Sequence, residues 1–289
     1  MSVAEVWRGL GLPGIVDVHT HFMPQRVLDK VQAYFAGAEA HLGFPWPIVH
    51  GNDPDDHVKR LREFGVVAFT SMIYPHKPGM AAWLNAWARD FAAATPGCAR
   101  TATFFPEESA GGYVQEALDG GARVFKAHLQ VGEYDPRDPL LDEVWGMIAD
   151  AGTPVVTHCG SGPVPGRFTG PGPITGVLER HPRLRIVVAH MGLPEYGAFL
   201  DLAGRFPGVG LDTTMAFTGF TEQAWPFPAS ERARLLDYED RIFFGSDFPN
   251  IPYSYAEAVG ALVRLDLGDD WLRAVLYGNG VQILRPTAP

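Results

Sequence analysis

Apolar, β-prone runs recur along the chain, each followed by a stretch whose apolar residues return every three or four positions. The runs are IVDVHTH (15–21), VVAFTSMIY (66–74), CARTATFF (98–105), ARVFKAHLQ (122–130), PVVTHCG (154–160), LRIVVAH (184–190), VGLDTT (209–214) and RIFFGSDF (241–248), so eight strands are predicted. Between them the periodicity predicts helices in DPDDHVKRLREFG, GMAAWLNAWARDFAAA, SAGGYVQEALDGG, DPLLDEVWGMIADAG, PITGVLERHP, LPEYGAFLDLAGRFPG, SERARLLDYED and YAEAVGALVRL. Several open on Asp or Ser and stop at Gly or Pro, as helix ends do. Strands apolar on both faces belong to a parallel sheet covered by helices, and this repeat fits an α/β fold, the (β/α)8 TIM barrel. An open doubly wound sheet is the competing arrangement, but its Gly-rich first turn is missing here.

Two connections are long: 22–52 after the first strand and Met215 to Pro228 after the seventh. Loops of this kind after strand C-termini lie on the face where barrels build their sites. The chain reads as a single domain over 1–289, closed by a helical segment at 269–285.

At 289 residues with 46% hydrophobic content the chain can bury a large core. A net charge of −10 without clustered Lys and Arg argues against nucleic acid as a partner. No run approaches the ~18 apolar residues of a membrane helix, so no membrane partner is expected. Two cysteines, Cys98 and Cys159, make no disulfide framework, and the N-terminus carries no export pattern; a cytoplasmic location is expected. The expected partners are a small-molecule substrate and, as oligomer, a second copy in a homodimer.

The polar residues carry the chemistry. Residues two apart on a strand share a face, so Asp17, His19 and His21 are expected to point together into the barrel. One His-x-His is weak evidence, because inward histidines are often satisfied core residues. But His128 ends the fourth run, His158 the fifth, His190 the sixth and Asp247 the eighth. Leaving such groups buried without partners costs several kcal/mol, about 2 to 7 for a neutral polar group. A divalent cation removes that cost, with His19, His21, His158 and Asp247 as ligands and zinc expected first, Mn, Fe or Co being alternatives. That set leaves room for water, whose pKa the ion would draw from ~15.7 toward ~7.

DVHTHF, THCG, AHMG, GSDFP and LYGNGVQIL together resemble the amidohydrolase superfamily of metal-dependent barrels, in particular its subgroup around aminocarboxymuconate-semialdehyde decarboxylase. The resemblance covers nearly the whole chain and implies the same four ligands, with His190 as the catalytic histidine. Binuclear relatives carry a carboxylated lysine on the fourth strand. Here Lys126 and His128 share a face of that run, and the mononuclear subgroup is the nearer likeness, so both are read as substrate-facing; a salt-bridged lysine and a core histidine are the bland alternative.

Two reactions suit such a site. The first is hydrolysis of an amide, ester or lactone, with Asp247 accepting the proton of water and His190 steadying the developing oxyanion or donating to the leaving group. The second is non-oxidative decarboxylation of an aromatic or muconate-like acid, for which Arg167, Arg137 and Lys126 are candidate cations. A barrel with a structural metal or none is the non-enzymatic alternative, and it leaves His190 without a purpose. His76 and Trp46 are further candidates for substrate contact, and Phe22, Tyr74, Phe105, Trp225 and Tyr253 for a cavity lining. His57 and His181 are expected to be solvated. Cys159 should face away from the site, and the GSGPVPGRFTGPGP stretch reads as a shaped wall, since its spacing matches no phosphate loop.

Overall fold

A computed structural model of the chain describes residues 2–284. Eight parallel strands lie inside the expected runs: β1 (Ile15–Asp17), β2 (Val66–Phe69), β3 (Thr101–Thr103), β4 (Val124–His128), β5 (Val155–His158), β6 (Ile186–Val188), β7 (Val209–Asp212) and β8 (Ile242–Phe243). β3 to β8 pair in sequence order and β1 pairs with β2. Two seams complete the ring: Ala99 N donates to Phe69 O (2.7 Å) between β2 and β3, and Val18 N donates to Phe244 O (2.9 Å) between β8 and β1. The molecule is a TIM barrel. Each ladder is shorter than its apolar run, but those of β4 and β5 extend to the site, where His128 and His158 are ladder partners.

Val16, Val18, Ala68, Val124, Val156, Val187 and Phe243 fill the barrel interior, while the opposite strand faces pack against the surrounding helices. Ile283 and Leu284, on the terminal helix Asn279–Leu284, join that interior cluster. Two features of the LYGNGVQIL motif seat this helix. Asn279 Nδ2 donates to Glu239 O (2.6 Å) and Ile242 O (2.7 Å), and Gly280 presses so closely on Val16 that a Cβ would lie 2.6 Å from its Cγ1. Residue 285 of the segment expected at 269–285 lies outside the described residues.

Most expected helices form, including Pro54–Phe64, whose N-cap Asp53 accepts from Asp55 N at 3.0 Å. SERARLLDYED yields only the short helix Arg234–Asp237 between 3-10 turns. An unexpected helix, Val3–Gly9, begins with a reciprocal Ser2–Glu5 capping box. The long connection 22–52 is largely helical, with Gln25–Ala36 and Ala38–Leu42. Among the described residues no helix is long and apolar enough to cross a membrane.

Candidate metal centre and active-site cavity

The chain bends at Val18, and this overturns one expectation. Val16 and Val18 point into the barrel, so Asp17 points out, where its carboxylate accepts from Tyr255 OH (2.9 Å), Ser246 N (3.1 Å) and His19 N (3.2 Å). The bend resets the alternation so that His19 and His21 both face the cavity. Asp17 therefore supports the site through the backbone on both sides of the β8/β1 seam, not through a histidine ring. Burial raises its pKa to about 7, against the lowering effect of those hydrogen bonds.

His19, His21 and Asp247 bring ligand atoms within 4.8 Å of one another. His21 Nδ1 donates to the Met72 carbonyl at 2.9 Å, and Nε2 lies 2.8 Å from Asp247 Oδ1, a hydrogen bond that an ion held between the two side chains would replace. His19 Nδ1 is held by Asp212 Oδ2 at 2.8 Å, which frees Nε2. Asp247, in a left-handed turn at φ 65°, is drawn to the seam by its N–H on His19 O (2.8 Å). Gly245 permits the approach: a Cβ there would stand 2.7 Å from that of His19. Burial works to raise the Asp247 pKa, but the His21 hydrogen bond and the neighbouring imidazoles hold it well below the carboxylate range.

This donor set fits a divalent ion: both imidazoles have the tautomer fixed by a partner on Nδ1, and an ionised carboxylate faces them. His158, expected as a fourth ligand, lines the same cavity but lies outside this cluster of ligand atoms. Its Nε2 donates to the Gly162 carbonyl at 2.9 Å, so Nδ1 is the atom it has left for an ion. His128, stacked on His158 with ring centroids 4.1 Å apart, accepts from Val131 N at Nδ1 and therefore presents Nε2–H, a donor and not a metal ligand. Burial, foremost, lowers the pKa of His128, His158 and His190, so these rings stay neutral.

His190 lies just past β6, in a turn where it and Met191 are left-handed (φ 57° and 54°). Its backbone N–H donates to Asp212 Oδ1 at 2.9 Å, and its ring stands 4.7 Å from that of His158 and 5.4 Å from that of His19. Lys126, wholly buried, reaches His19 Nε2 at 3.0 Å, with its pKa lowered by burial to about 8. An ion and an ammonium cannot share that one lone pair, so metal binding requires Lys126 to be neutral or displaced.

These groups floor a cavity of 840 Å³ whose walls include Val31, Trp46, Trp83, Leu193, Met215 and Trp225. Lys126, His128, His76 and Trp46 line it. Trp46 is pinned by Nε1 on Asn250 O at 2.8 Å. Arg167 does not line it: it is exposed, its guanidinium 5.1 Å over the Phe168 ring, because the Gly- and Pro-rich wall carries it outward. Arg137 is engaged by Asp135 at 2.8 Å. His57 is buried, with Nε2 on His50 O at 3.0 Å; it shares the inner face of its helix with Val58 and Leu61. Sequence reasoning missed Asp212, although its run turns from apolar to acidic at the same end as the others. It also missed Asn250, which lines the cavity and is buried with no partner for Oδ1 among the described residues.

A parallel barrel with a His2Asp trio at the C-terminal ends of its first and last strands is an arrangement that could hold a metal ion at the end of the barrel where such folds place their sites. An amidohydrolase family model matches residues 16–285, and the chain belongs to that family. No curated protein sequence matches it. Among solved structures it is similar to an uncharacterised TIM-barrel protein of Bordetella bronchiseptica (20% identity, 94% of this chain and 99% of that one, TM-score 0.72). It is also similar to 5-carboxyvanillate decarboxylase of Sphingomonas paucimobilis (19%, 95% and 100%, 0.62) and to a 2-pyrone-4,6-dicarboxylic acid hydrolase, so described, of Pseudomonas putida (15%, 96% and 99%, 0.63). At these identities the likeness concerns the fold.

Proposed function

We propose that the chain is a metal-dependent hydrolase that cleaves an amide, ester or lactone bond in a small organic substrate. The observation that carries this reading is the convergence of His19 Nε2, His21 Nε2 and Asp247 Oδ1 on a cavity floor that also holds His190, whose ring makes no protein hydrogen bond among the described residues. A divalent ion there, zinc first by the character of the donors, supplies Lewis acidity, polarising a substrate oxygen and lowering the pKa of water. Asp247, ionised and 15% exposed to the cavity, accepts the proton of the attacking water. His190 hydrogen-bonds the oxygen on which charge develops, and its left-handed backbone, tied to Asp212, aims the ring. His128 Nε2–H is a second donor for the substrate. The test is His190→Asn: hydrolysis of a lactone and aryl-ester panel by zinc- or manganese-loaded protein falls about 10² to 10³-fold with metal content unchanged. Retained rate would remove His190 from the chemistry.

Non-oxidative decarboxylation is the second reading, favoured by Lys126, whose ammonium on the cavity floor suits a substrate carboxylate. Release of CO₂ from aromatic acids, without hydrolysis of any ester or lactone, would establish it in place of the first.

A further inference from the structure

The chain is acidic, at −10, yet three of its four lysines and one arginine line one cavity. Its lysines are Lys30, Lys59, Lys77 and Lys126, and all but Lys59 line the active cavity, together with Arg26. Lys59 lies on the outer surface and pairs with Glu63. Arg26, Lys30 and Lys77 are exposed at the cavity mouth, and none of them forms an ion pair among the described residues. Their placement follows from helical spacing. On Gln25–Ala36, Arg26, Lys30 and Tyr34 recur every fourth residue beside Val27, Val31 and Phe35, so one helix face gives the cavity both a charged and an apolar edge. Lys77 comes from the loop after β2.

The Arg26 guanidinium lies 4.2 Å over the Trp83 ring, which also lines the cavity. Stacking fixes the plane of the guanidinium and leaves its N–H edge free for a planar anion. The carboxylates facing these cations are few: Asp29, on the same helix, accepts from Gln25 at 2.9 Å and does not line the cavity, while among the described residues Glu133 is the sole lining carboxylate besides Asp247.

We propose that Arg26, Lys30 and Lys77 form an anion subsite at the cavity mouth, so that the substrate is an organic acid. Its apolar or aromatic body lies against Val31, Trp83 and their neighbours. Its anionic oxygen group, carboxylate or phosphate, sits away from the bond that reacts at the floor. The inference rests on the hydrolytic reading for which end of the substrate reacts, but the subsite itself is tested by binding alone.

Terephthalate, 4-phosphonobenzoate and the monoanion 4-carbamoylbenzoate are titrated into the metal-loaded full chain, with Trp83 fluorescence and calorimetry as readouts. At least one dianion binds about tenfold or more tighter than the monoanion, as one charged hydrogen-bonded contact confers, and the larger preference identifies the anionic group. The variant Arg26→Gln/Lys30→Gln/Lys77→Gln alters only exposed side chains, keeps the wild-type melting temperature and loses the preference. Equal binding of dianions and monoanion, or a preference retained in the triple variant, overturns the proposal. If no amide, ester or lactone is turned over but the dianion preference holds, the hydrolytic reading alone fails. If neutral esters are turned over without any such preference, the subsite alone fails.

Discussion

Asp212 holds His19 and His190 at once: Oδ2 lies 2.8 Å from the His19 ring, and Oδ1 accepts the His190 backbone N–H at 2.9 Å. Burial pushes its pKa up, but the His19 contact outweighs this and leaves it at about 2, so the carboxylate is ionised at any working pH. Asp212→Asn keeps the shape and loses the charge that fixes the His19 tautomer. Metal affinity should fall about 10 to 100-fold, read by competition with a chelating dye. Undiminished affinity in a folded variant would show that the carboxylate does not orient the ligand.

The two stacked histidines should separate by role. Because His158 has Nδ1 to offer and His128 presents Nε2–H, His158→Gln should lower bound metal per chain, whereas His128→Gln should leave it unchanged and raise KM. Elemental analysis beside steady-state kinetics makes the comparison, and equal metal loss in both variants would contradict the tautomers assigned here.

Asn250 is buried beside the cavity with its Oδ1 unpartnered. An amide that makes no side-chain hydrogen bond among the described residues contributes little to stability by its polarity, yet it can recognise a substrate group. Asn250→Ala should therefore reduce kcat/KM about tenfold, the worth of one well-made hydrogen bond in a desolvated site, while Tm changes little. A large loss of Tm with kcat/KM intact would make its role structural.

His57 links stability to pH away from the metal centre. Burial, above all, holds the pKa of both His57 and its partner His50 below 6.5, with the Arg60 charge acting in the same direction and Asp56 opposing at His57. The unfolded chain binds these protons more readily, so their contribution is whole above pH 6.5 and declines as pH drops beneath it. The limit is about 1.4 kcal/mol per pH unit for each residue. His57→Gln should flatten the fall of the denaturant midpoint between about pH 6.5 and 5; an unchanged slope would place the linkage elsewhere.

The eight strands were legible because parallel strands buried on both faces must be apolar throughout, and the polar residues ending those runs marked the catalytic end. Side-chain direction was less legible. A bend at Val18, invisible in composition, sends Asp17 outward and His19 inward. The mouth cations escaped notice because Arg26 and Lys30 lie in a connection read as loop, where a helix supplies the geometry that brings them together. Arg167 was the opposite case, a cation in a suggestive loop whose backbone carries it to solvent. His57 could have been placed from its spacing to Val58 and Leu61 on an amphipathic helix.

The seam between the first and last strands has a consequence for biosynthesis. His19 and His21 follow β1 and leave the ribosome early, but Asp247 follows β8, and the two segments meet across a seam that includes the Val18–Phe244 and Asp247–His19 backbone hydrogen bonds and the Thr20–Phe248 bridge. A nascent chain can therefore hold at most part of the ion's coordination shell until its last strand has been made. Tight capture of an ion by these residues would thus report a finished barrel, and such an ion would act as a clasp on the junction that is the last to close.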